Sequence, residues 1–215
     1  MSIQIETVLS IPFEENAYLV YREGATECVM IDPGIERNKT LAAIQKRGMT
    51  LVAILCTHGH ADHIGSVPDL KAAFPQAQLI IGSGDAGKLT DAKKNLSADF
   101  GMPIVAQAAD VVLTEERQTL NLAGIEFEAL RTPGHSAGHY VFLLRERTPN
   151  VVFVGDLVFY NSVGRSDFYD GDFQELEKSI REKIYTLDDA TVLYCGHGPS
   201  TLVGTERKTN PFVQG

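Results

Sequence analysis

The stretch THGHADHIG, residues 57–65, holds four side chains that can bind a metal ion: His58, His60, Asp62 and His63. Its three histidines are half of the six histidines in the chain. Successive side chains of an extended strand alternate, so His58, His60 and Asp62 would point to one side. A turn into a following helix would instead split the group, with His58 and His60 on one ion and Asp62 and His63 on a second. The stretch therefore predicts two neighbouring metal sites.

The other residues of metal-binding type also stand in glycine-containing turns that follow apolar runs. His135 lies in TPGHSAGH, Asp156 in FVGD and His197 in CGHGP. Functional groups commonly gather on loops that a rigid scaffold holds, and zinc binds three or four nitrogen or oxygen ligands. We therefore expect His135 to complete the first site and His197 the second. Asp156, which has two carboxylate oxygens, could bridge ions that lie about 3.5–4 Å apart.

Three further polar residues beside these turns are expected to support the ligands. His139 comes four residues after His135 and begins a strand, which favours a role in orienting a ligand over direct metal binding. Asp32 and Asn16 are expected to stabilise turns next to the site. A single histidine in a turn is usually structural. The whole set of six histidines and the aspartates near them is not expected to be structural, because structural polar groups rarely assemble in this way.

The composition indicates an ordinary globular protein. The chain has 215 residues, of which 44% are hydrophobic and 22% are charged, so we predict a single domain over residues 1–215. The three cysteines, Cys28, Cys56 and Cys195, are far apart and odd in number, which argues against a secreted disulfide framework. The net charge is −9 and the chain has no basic run, so nucleic acid is not an expected partner.

The sequence has no feature of an export signal or a membrane span. The first residues, MSIQIETVLSIPFEENAYLV, contain neither a basic region nor a long apolar core. No stretch approaches the ~18 uninterrupted apolar residues that a transmembrane helix needs. We therefore expect a cytoplasmic monomer with no membrane partner.

Short apolar runs separated by glycine, aspartate and proline indicate alternating strands and helices. The run LVAILC, residues 51–56, is typical of a strand covered on both faces. Residues 37–48 and 171–187 have helical periodicity, and Asp172 is the predicted cap of the second helix. Residues 84–100 are predicted to be partly helical. The pattern indicates an α/β (α+β) fold in which two mixed sheets pack face to face with helices outside.

The motifs HGHADH, TPGH, GD and GHG, in this order and over nearly the whole chain, resemble those of the metallo-β-lactamase superfamily. The resemblance implies a four-layer αββα sandwich with metal ions at one edge of the two sheets. Within the superfamily, TPGHSAGH is similar to the glyoxalase II motif. The segments VGRSDFYDGDFQEL and GHGPSTLVGTERKTNPF look like those of short, single-domain bacterial hydroxyacylglutathione hydrolases. Longer glyoxalase II enzymes hold glutathione with an additional C-terminal helical domain, whose contacts are not expected here.

The resemblance also implies roles for individual residues. The first ion would be bound by His58, His60 and His135, the second by Asp62, His63 and His197, and both by Asp156 as a bridge. Zinc is the expected metal, with iron or manganese as alternatives, since all three accept mixed histidine and aspartate sites. The expected catalytic residues are Asp62 and Asp156. The residues expected to attract an anionic substrate are Arg165, Arg207 and Lys208.

The implied reaction is hydrolysis of the thioester S-(R)-lactoylglutathione to D-lactate and glutathione. A hydroxide between the two ions would attack the carbonyl carbon, and the first ion would stabilise the developing oxyanion. A thiolate with a pKa near ~8.5 can leave without a strong general acid.

Three alternatives to this hydrolase are open. A mono-iron persulfide dioxygenase would share the segment GRSDF and bind iron through two histidines and an aspartate, but His197 offers a ligand for a second ion. Another hydrolase of the fold, such as a lactonase, a β-lactamase or a nuclease, is the second alternative, and the chain lacks the basic surface of a nuclease. The third is a non-catalytic metal-binding module, which is hard to reconcile with a complete set of ligand positions.

Overall fold

A computed structural model describes residues 2–11 and 13–215 and contains two six-stranded β-sheets. The first three strands of the first sheet pair antiparallel, and the third to the sixth pair parallel. In chain order, which is also the order across this sheet, the strands are β1 (Ile3–Ser10), β2 (Glu15–Arg22), β3 (Glu27–Ile31), β4 (Thr50–Leu55), β5 (Gln78–Gly82) and β6 (Val111–Leu113).

The second sheet is formed by the C-terminal half of the chain. Its first four strands are β7 (Arg117–Leu122), β8 (Ile125–Arg131), β9 (Tyr140–Leu144) and β10 (Val151–Gly155). A separate hairpin, β11 (Val158–Phe159) and β12 (Ser162–Val163), precedes the last two strands, β13 (Val192–Cys195) and β14 (Thr201–Leu202). The order across the sheet is β14-β13-β10-β9-β8-β7, and only the β10–β13 pair among its described strands is parallel.

Side chains that alternate along the strands form the core between the two sheets. In β8, Ile125, Phe127 and Ala129 are fully buried, and they share one cluster with Val29 and Leu55 of the first sheet. The alternation follows from the strand itself, because successive side chains point to opposite faces. Burying a large apolar side chain completely contributes about 1.5–3 kcal/mol, so this layer is a main source of stability.

Helices cover the outer faces of both sheets, which confirms the predicted four-layer αββα arrangement. Ile44 and Leu70 pack with the first sheet, and Leu176 and Ile180 pack with the second. None of the described helices has the length and apolar character needed to cross a bilayer. The helices are α1 (Arg37–Gln45), α2 (Ala61–Ile64), α3 (Val67–Ala73), α4 (Phe173–Ser179) and α5 (Val203–Thr209).

The two clearest predicted helices are present, and one has the predicted cap. Oδ1 of Asp172 accepts hydrogen bonds from two backbone N–H groups in the first turn of α4, at 2.8 and 3.2 Å. Beyond α4 the chain continues in π-helical turns, Ile180–Ile184, so the predicted helix over 171–187 is not uniform. The predicted helix over 37–48 corresponds to α1 followed by a turn.

Residues 84–100 contain only two short 3-10 helices, Ala86–Lys88 and Ser97–Phe100, where the sequence predicts a partly helical segment. Asn95 accounts for the difference. Its Nδ2 donates to two backbone carbonyl oxygens, each at 2.9 Å, and its Oδ1 accepts a backbone N–H at 3.0 Å. Hydrogen bonds of this kind compete with a regular helix, so the segment is a compact loop.

The strand ends that carry the candidate ligands meet at one edge of the sandwich. Residues 57–65 follow the end of β4, Asp156 follows β10 and His197 follows β13. Because β10 and β13 are parallel neighbours, their carboxyl ends lie side by side. A single backbone bridge also pairs Glu15 at the start of β2 with His197, which joins the two sheets at this edge.

Candidate metal centre

Three buried imidazoles, those of His58, His60 and His135, form the first donor group. Nε2 of His135 lies 3.2 Å from Nε2 of His58 and 2.9 Å from Nδ1 of His60. Nδ1 of His135 donates to the carbonyl oxygen of Arg165 at 2.7 Å, which leaves the lone pair on Nε2. Burial, and then the neighbouring imidazoles, lowers the pKa of His58 and of His60 well below its usual range. Three neutral imidazoles with converging nitrogens suit one metal ion.

Asp62, His63 and His197 form the second donor group. Oδ2 of Asp62 lies 3.3 Å from Nε2 of His197 and 3.8 Å from Nε2 of His63. The other ring nitrogens are engaged elsewhere: Nδ1 of His63 lies 3.1 Å from Oδ2 of Asp32, and Nδ1 of His197 donates to the carbonyl oxygen of Phe13 at 2.9 Å. Hydrogen bonds to Nδ1 orient both rings so that Nε2 can bind an ion.

The carboxylate of Asp156 lies between the two donor groups. Its Oδ1 is 3.2 Å from Nε2 of His63, and its Oδ2 is 3.6 Å from Nε2 of His197 and 3.7 Å from Nε2 of His135. Nε2 of His63 and Oδ1 of Asp156 are buried, and neither has a hydrogen-bond partner among the described residues. Since buried polar atoms are normally paired, the two orphaned atoms fit a centre that binds cations. The clusters are thus suited to a dinuclear metal site.

His63 and Asp156 shift each other's protonation in opposite directions. Burial by itself would lower the pKa of His63, but the carboxylates of Asp156 and Asp62 raise it well above its usual range. Burial by itself would raise the pKa of Asp156, but the imidazole of His63 holds it well below the usual range of a carboxyl. These opposite shifts favour a protonated His63 beside an ionised Asp156.

Metal binding at the second donor group is expected to release a proton, because Nε2 of His63 binds an ion only after it has lost its proton. The apparent affinity should fall about tenfold for each pH unit of acidification below the raised pKa of His63, as one released proton requires. The measurement is titration of apo-protein with Zn²⁺ in a weakly buffered solution with a pH indicator.

The control for this release is His63→Ala, which removes the titrating group but leaves the first donor group in place. In this variant the ion at the second donor group should bind more weakly, and its binding should not release the proton that His63 releases in the wild type. An apo-protein that takes up its second ion with no change in pH would show that His63 is already neutral.

Asp32 and Thr57 form hydrogen bonds that link the two donor groups. Oδ1 of Asp32 accepts the backbone N–H of Thr57 and its Oδ2 accepts the Thr57 hydroxyl, both at 2.7 Å. The hydroxyl has donated its only proton, so at 3.0 Å it can only accept from Nδ1 of His58. Asp32 faces His63 with the same Oδ2. One carboxylate therefore orients a ligand in each group, a more specific contact than the turn support expected from the sequence.

His139 and Asn16 also contact the ligand loops. Nδ1 of His139 lies 2.9 Å from the hydroxyl of Thr132, and its ring stacks on His58 with ring centroids 5.4 Å apart. It contributes no atom to the donor groups found among the described residues. Nδ2 of Asn16 donates to the carbonyl oxygens of Cys195 and Gly198, at 3.1 and 2.8 Å, on either side of His197. Both residues are placed to support ligands.

A cavity of about 470 Å³ opens beside the two donor groups. Its walls are largely apolar, and Phe168 also packs against the ring of His60 at a centroid distance of 4.8 Å. Sequence reasoning missed these wall residues, because nothing local distinguishes an apolar residue of a cavity from one of the core. The larger apolar side chains of the wall are Phe13, Leu96, Phe100, Phe159, Val163 and Phe168.

Arg165 lines this cavity, as expected for a residue that attracts substrate. Its guanidinium bonds to both oxygens of Asp167, at 2.6 and 2.8 Å, and lies 4.3 Å from the ring centroid of Phe168. The Arg165 and Asp167 side chains are 61% and 68% exposed, so the pair is weak and solvent-screened. The positive charge is therefore available to a ligand only in part.

The structure places Arg207 and Lys208, two of the residues expected to attract substrate, away from the cavity. Both lie on α5 and form ion pairs with Asp189. Arg207 also donates to the carbonyl oxygen of Tyr185 at 2.6 Å. Neither residue lines the cavity. The physical reason is the position of α5, whose last turn places both cations over the segment before β13.

Glu15 is another residue that the sequence analysis did not identify. It is fully buried, and neither of its carboxylate oxygens has a hydrogen-bond partner in the described ranges. Burial raises the pKa of Glu15 well above its usual value, although the charge of His63 acts in the other direction. The acid form is therefore favoured near the metal centre. The only sequence signal was a charged residue at the start of an apolar strand.

Known proteins match this chain over most of its length. A family model described as the metallo-beta-lactamase superfamily matches residues 11–197. The hydroxyacylglutathione hydrolase GloC of Haemophilus influenzae is 35% identical over 213 residues, which cover 98% of each chain. The probable metallo-hydrolase YqgX of Bacillus subtilis is 34% identical and covers 95% of this chain and 94% of its own.

Solved structures also resemble this one closely. The BLEG-1 B3 metallo-beta-lactamase superimposes with a TM-score of 0.92 at 34% identity, covering 99% of this chain and all of that one. TTHA1623, solved in a di-iron-bound form, has a TM-score of 0.83 at 37% identity over 97% of this chain and 100% of its own. ETHE1 from Myxococcus xanthus has a TM-score of 0.79 at 25% identity over 97% and 83% of the two chains.

Proposed function

Because this chain belongs to the metallo-beta-lactamase superfamily of metal-dependent hydrolases, we propose that it hydrolyses thioesters in the manner of glyoxalase II. The proposed reaction converts S-(R)-lactoylglutathione to D-lactate and glutathione. The observation that carries the proposal is the carboxylate of Asp156, which faces nitrogen ligands of both donor groups. Similarity to a relative named a hydroxyacylglutathione hydrolase supports the choice of a thioester.

The donor atoms fit two divalent metal ions, and we propose zinc. The first donor group supplies three imidazole nitrogens, and the second supplies two imidazoles and a carboxylate. Such mixed sets bind zinc, and they also accept iron or manganese. The di-iron form of TTHA1623 supports iron as the alternative metal. Elemental analysis of the purified protein by mass spectrometry identifies the metal.

Asp62 and the cavity walls would act directly on water and substrate. When bound, two such ions lower the pKa of a water molecule and polarise a carbonyl group. Asp62 lines the cavity and its side chain is 21% exposed, so its carboxylate can accept a hydrogen bond from the attacking water and orient it. The aromatic walls bind the apolar parts of the substrate and exclude other water. The thiolate can leave without a general acid, because the pKa of the corresponding thiol is about 8.5.

The test of this proposal is the hydrolysis of S-lactoylglutathione by protein of known metal content, followed by the loss of the thioester's ultraviolet absorbance. Turnover should require metal and disappear after chelation. A chromogenic β-lactam and an aliphatic lactone serve as comparison substrates. Rapid turnover of either one without thioester hydrolysis would assign the protein to another reaction of the superfamily.

A mono-iron persulfide dioxygenase is the competing function, and the segment GRSDF favours it. The completeness of the second donor group argues for the hydrolase, because His197 and Asp62 would have no role at a single iron. Oxygen uptake with glutathione persulfide, measured on iron-loaded protein, separates the two functions. The hydrolase proposal predicts no oxygen uptake.

Arg165→Ala is expected to raise KM for an anionic glutathione thioester more than it lowers kcat, because the guanidinium lies in the cavity wall. KM should rise by about 1.4- to fivefold, as for an exposed ion pair worth about 0.2–1 kcal/mol. Steady-state kinetics at low and high ionic strength measure it. Asp167→Ala is the matched control: it frees the guanidinium and should lower KM. An unchanged KM in both variants would remove Arg165 from the substrate site.

A further inference from the structure

A fully buried carboxylate, that of Asp85, lies just after β5 and outside both donor groups. Its Oδ2 accepts the backbone N–H of Gly59 at 2.7 Å and the hydroxyl of Ser136 at 2.9 Å. Its Oδ1 accepts the backbone N–H of Gly138 at 2.9 Å. All three partners belong to the two loops that carry candidate ligands, residues 57–65 and 132–139. Asp85 belongs to neither loop.

The partners of Asp85 flank the ligands of the first donor group. Gly59 stands between His58 and His60, and Ser136 directly follows His135. These ligands come from loops far apart in the chain and from different sheets. We propose that Asp85 is the positioning residue that joins the two loops and brings the three imidazoles together. This inference rests on the metal centre that the proposed function requires.

The packing around Asp85 shows how closely the two loops are held. A Cβ atom on Gly138 would collide with the backbone nitrogen of Asp85, and one on Gly84 would lie 2.7 Å from backbone atoms of Ala137. A Cβ atom on Gly59 would lie 2.7 Å from the side chain of Lys88. The segment that carries Asp85 and Lys88 therefore packs against both ligand loops, and the Asp85 carboxylate accepts hydrogen bonds from each of them.

Lys88 compensates the buried charge and extends the network to Asp170. Its Nζ lies 3.2 Å from Oδ2 of Asp85 and 2.9 Å from Oδ2 of Asp170, and its side chain is 2% exposed. Asp170 in turn accepts the backbone N–H of Ala137 at 3.2 Å. A buried carboxylate persists when it is paired and fully hydrogen-bonded, and bonds to an ionised acceptor are among the stronger ones. The network is thus suited to holding a fixed geometry.

The experiment compares Zn²⁺ affinity in the wild type and in Asp85→Asn, by competition with a chromophoric chelator. Asn keeps the shape but loses the negative charge and one acceptor oxygen, so the loops should separate. We expect an affinity loss of about 10- to 100-fold at the first donor group, the range for residues that orient ligands. The same loss should appear in a His197→Ala background, which weakens the second group. Visible spectra of Co²⁺-loaded protein should change as well.

Asp110→Asn is the control. The carboxylate of Asp110 also accepts hydrogen bonds from a lysine side chain, that of Lys71, and from a backbone N–H, that of Leu79. These partners lie outside the ligand loops. Asp110→Asn should leave Zn²⁺ affinity unchanged. Ser136→Ala removes one hydrogen bond to Asp85 and should show a smaller loss, which tests the inference even if Asp85→Asn does not fold. Wild-type affinity in both Asp85→Asn and Ser136→Ala, or an equal loss in Asp110→Asn, would overturn it. A wild type that binds neither Zn²⁺, Fe²⁺ nor Mn²⁺ would refute the proposed function itself.

Discussion

Asp156→Ala is expected to lower kcat/KM for the thioester by at least about 10²–10³-fold, the loss seen when one electrostatic element of an acyl-transfer site is removed. Asp156 is the residue whose carboxylate faces His63, His135 and His197 together. Without it the two donor groups would lose the carboxylate that faces both of them, and Nε2 of His63 would lose the carboxylate oxygen that lies 3.2 Å away. Steady-state kinetics and metal content per chain, measured on the same sample, give the result.

The control for Asp156→Ala is Asp188→Ala, which removes an exposed carboxylate outside the donor groups and the cavity wall. It should retain both the metal and the activity. If Asp156→Ala kept wild-type turnover with two bound ions, the assignment of Asp156 as the shared ligand would be wrong.

Gly196→Ala is expected to reduce metal affinity by at least about tenfold, within the range for changes that displace ligands, and to lower activity with it. A Cβ atom at this position would collide with Oδ1 of Asp156 and lie 2.8 Å from Cε1 of His63. Both atoms belong to the metal centre, and the backbone of Gly155 behind Gly196 leaves little room to move. The substitution removes no ligand, so a loss of metal would report the geometry of the centre alone.

Gly87→Ala is the matched control for Gly196→Ala. A Cβ atom at Gly87 would find only Nζ of Lys94 nearby, at 3.6 Å, an ordinary contact. This variant should bind metal and turn over substrate as the wild type does. Two tightly bound ions in Gly196→Ala would mean that Asp156 does not lie where the structure places it.

Much of the donor set is predictable from residue type and spacing, because metal binding restricts both. The four motifs around His58, Asp156, His135 and His197 combine imidazoles, carboxylates and glycines at strand ends, and few other roles favour that combination. The layered fold is equally predictable, since a buried strand such as β4 and a capped helix such as α4 carry strong local patterns. These features depend on neighbours in the chain.

The residues that the sequence misplaced or missed depend on contacts between distant segments. Arg207 has the charge of a substrate-binding cation, but it forms an ion pair with Asp189. No local sequence pattern predicts that ion pair. Asp85 has the sequence context of an ordinary turn residue, yet its hydrogen bonds end on Gly59 and Gly138.

The amino-acid pattern alone thus indicated the layers and the candidate ligands, because these follow from residue type and local periodicity, and the resemblance of the four motifs indicated the superfamily. Only the folded chain revealed which ring nitrogens of His135 and His197 are hydrogen-bonded to the backbone, how the Asp156 oxygens face the two groups, and that aromatic side chains line the cavity. Those properties arise where loops from two sheets come within about 3 Å, the length of a hydrogen bond. Distances of that kind are set by packing across the whole molecule.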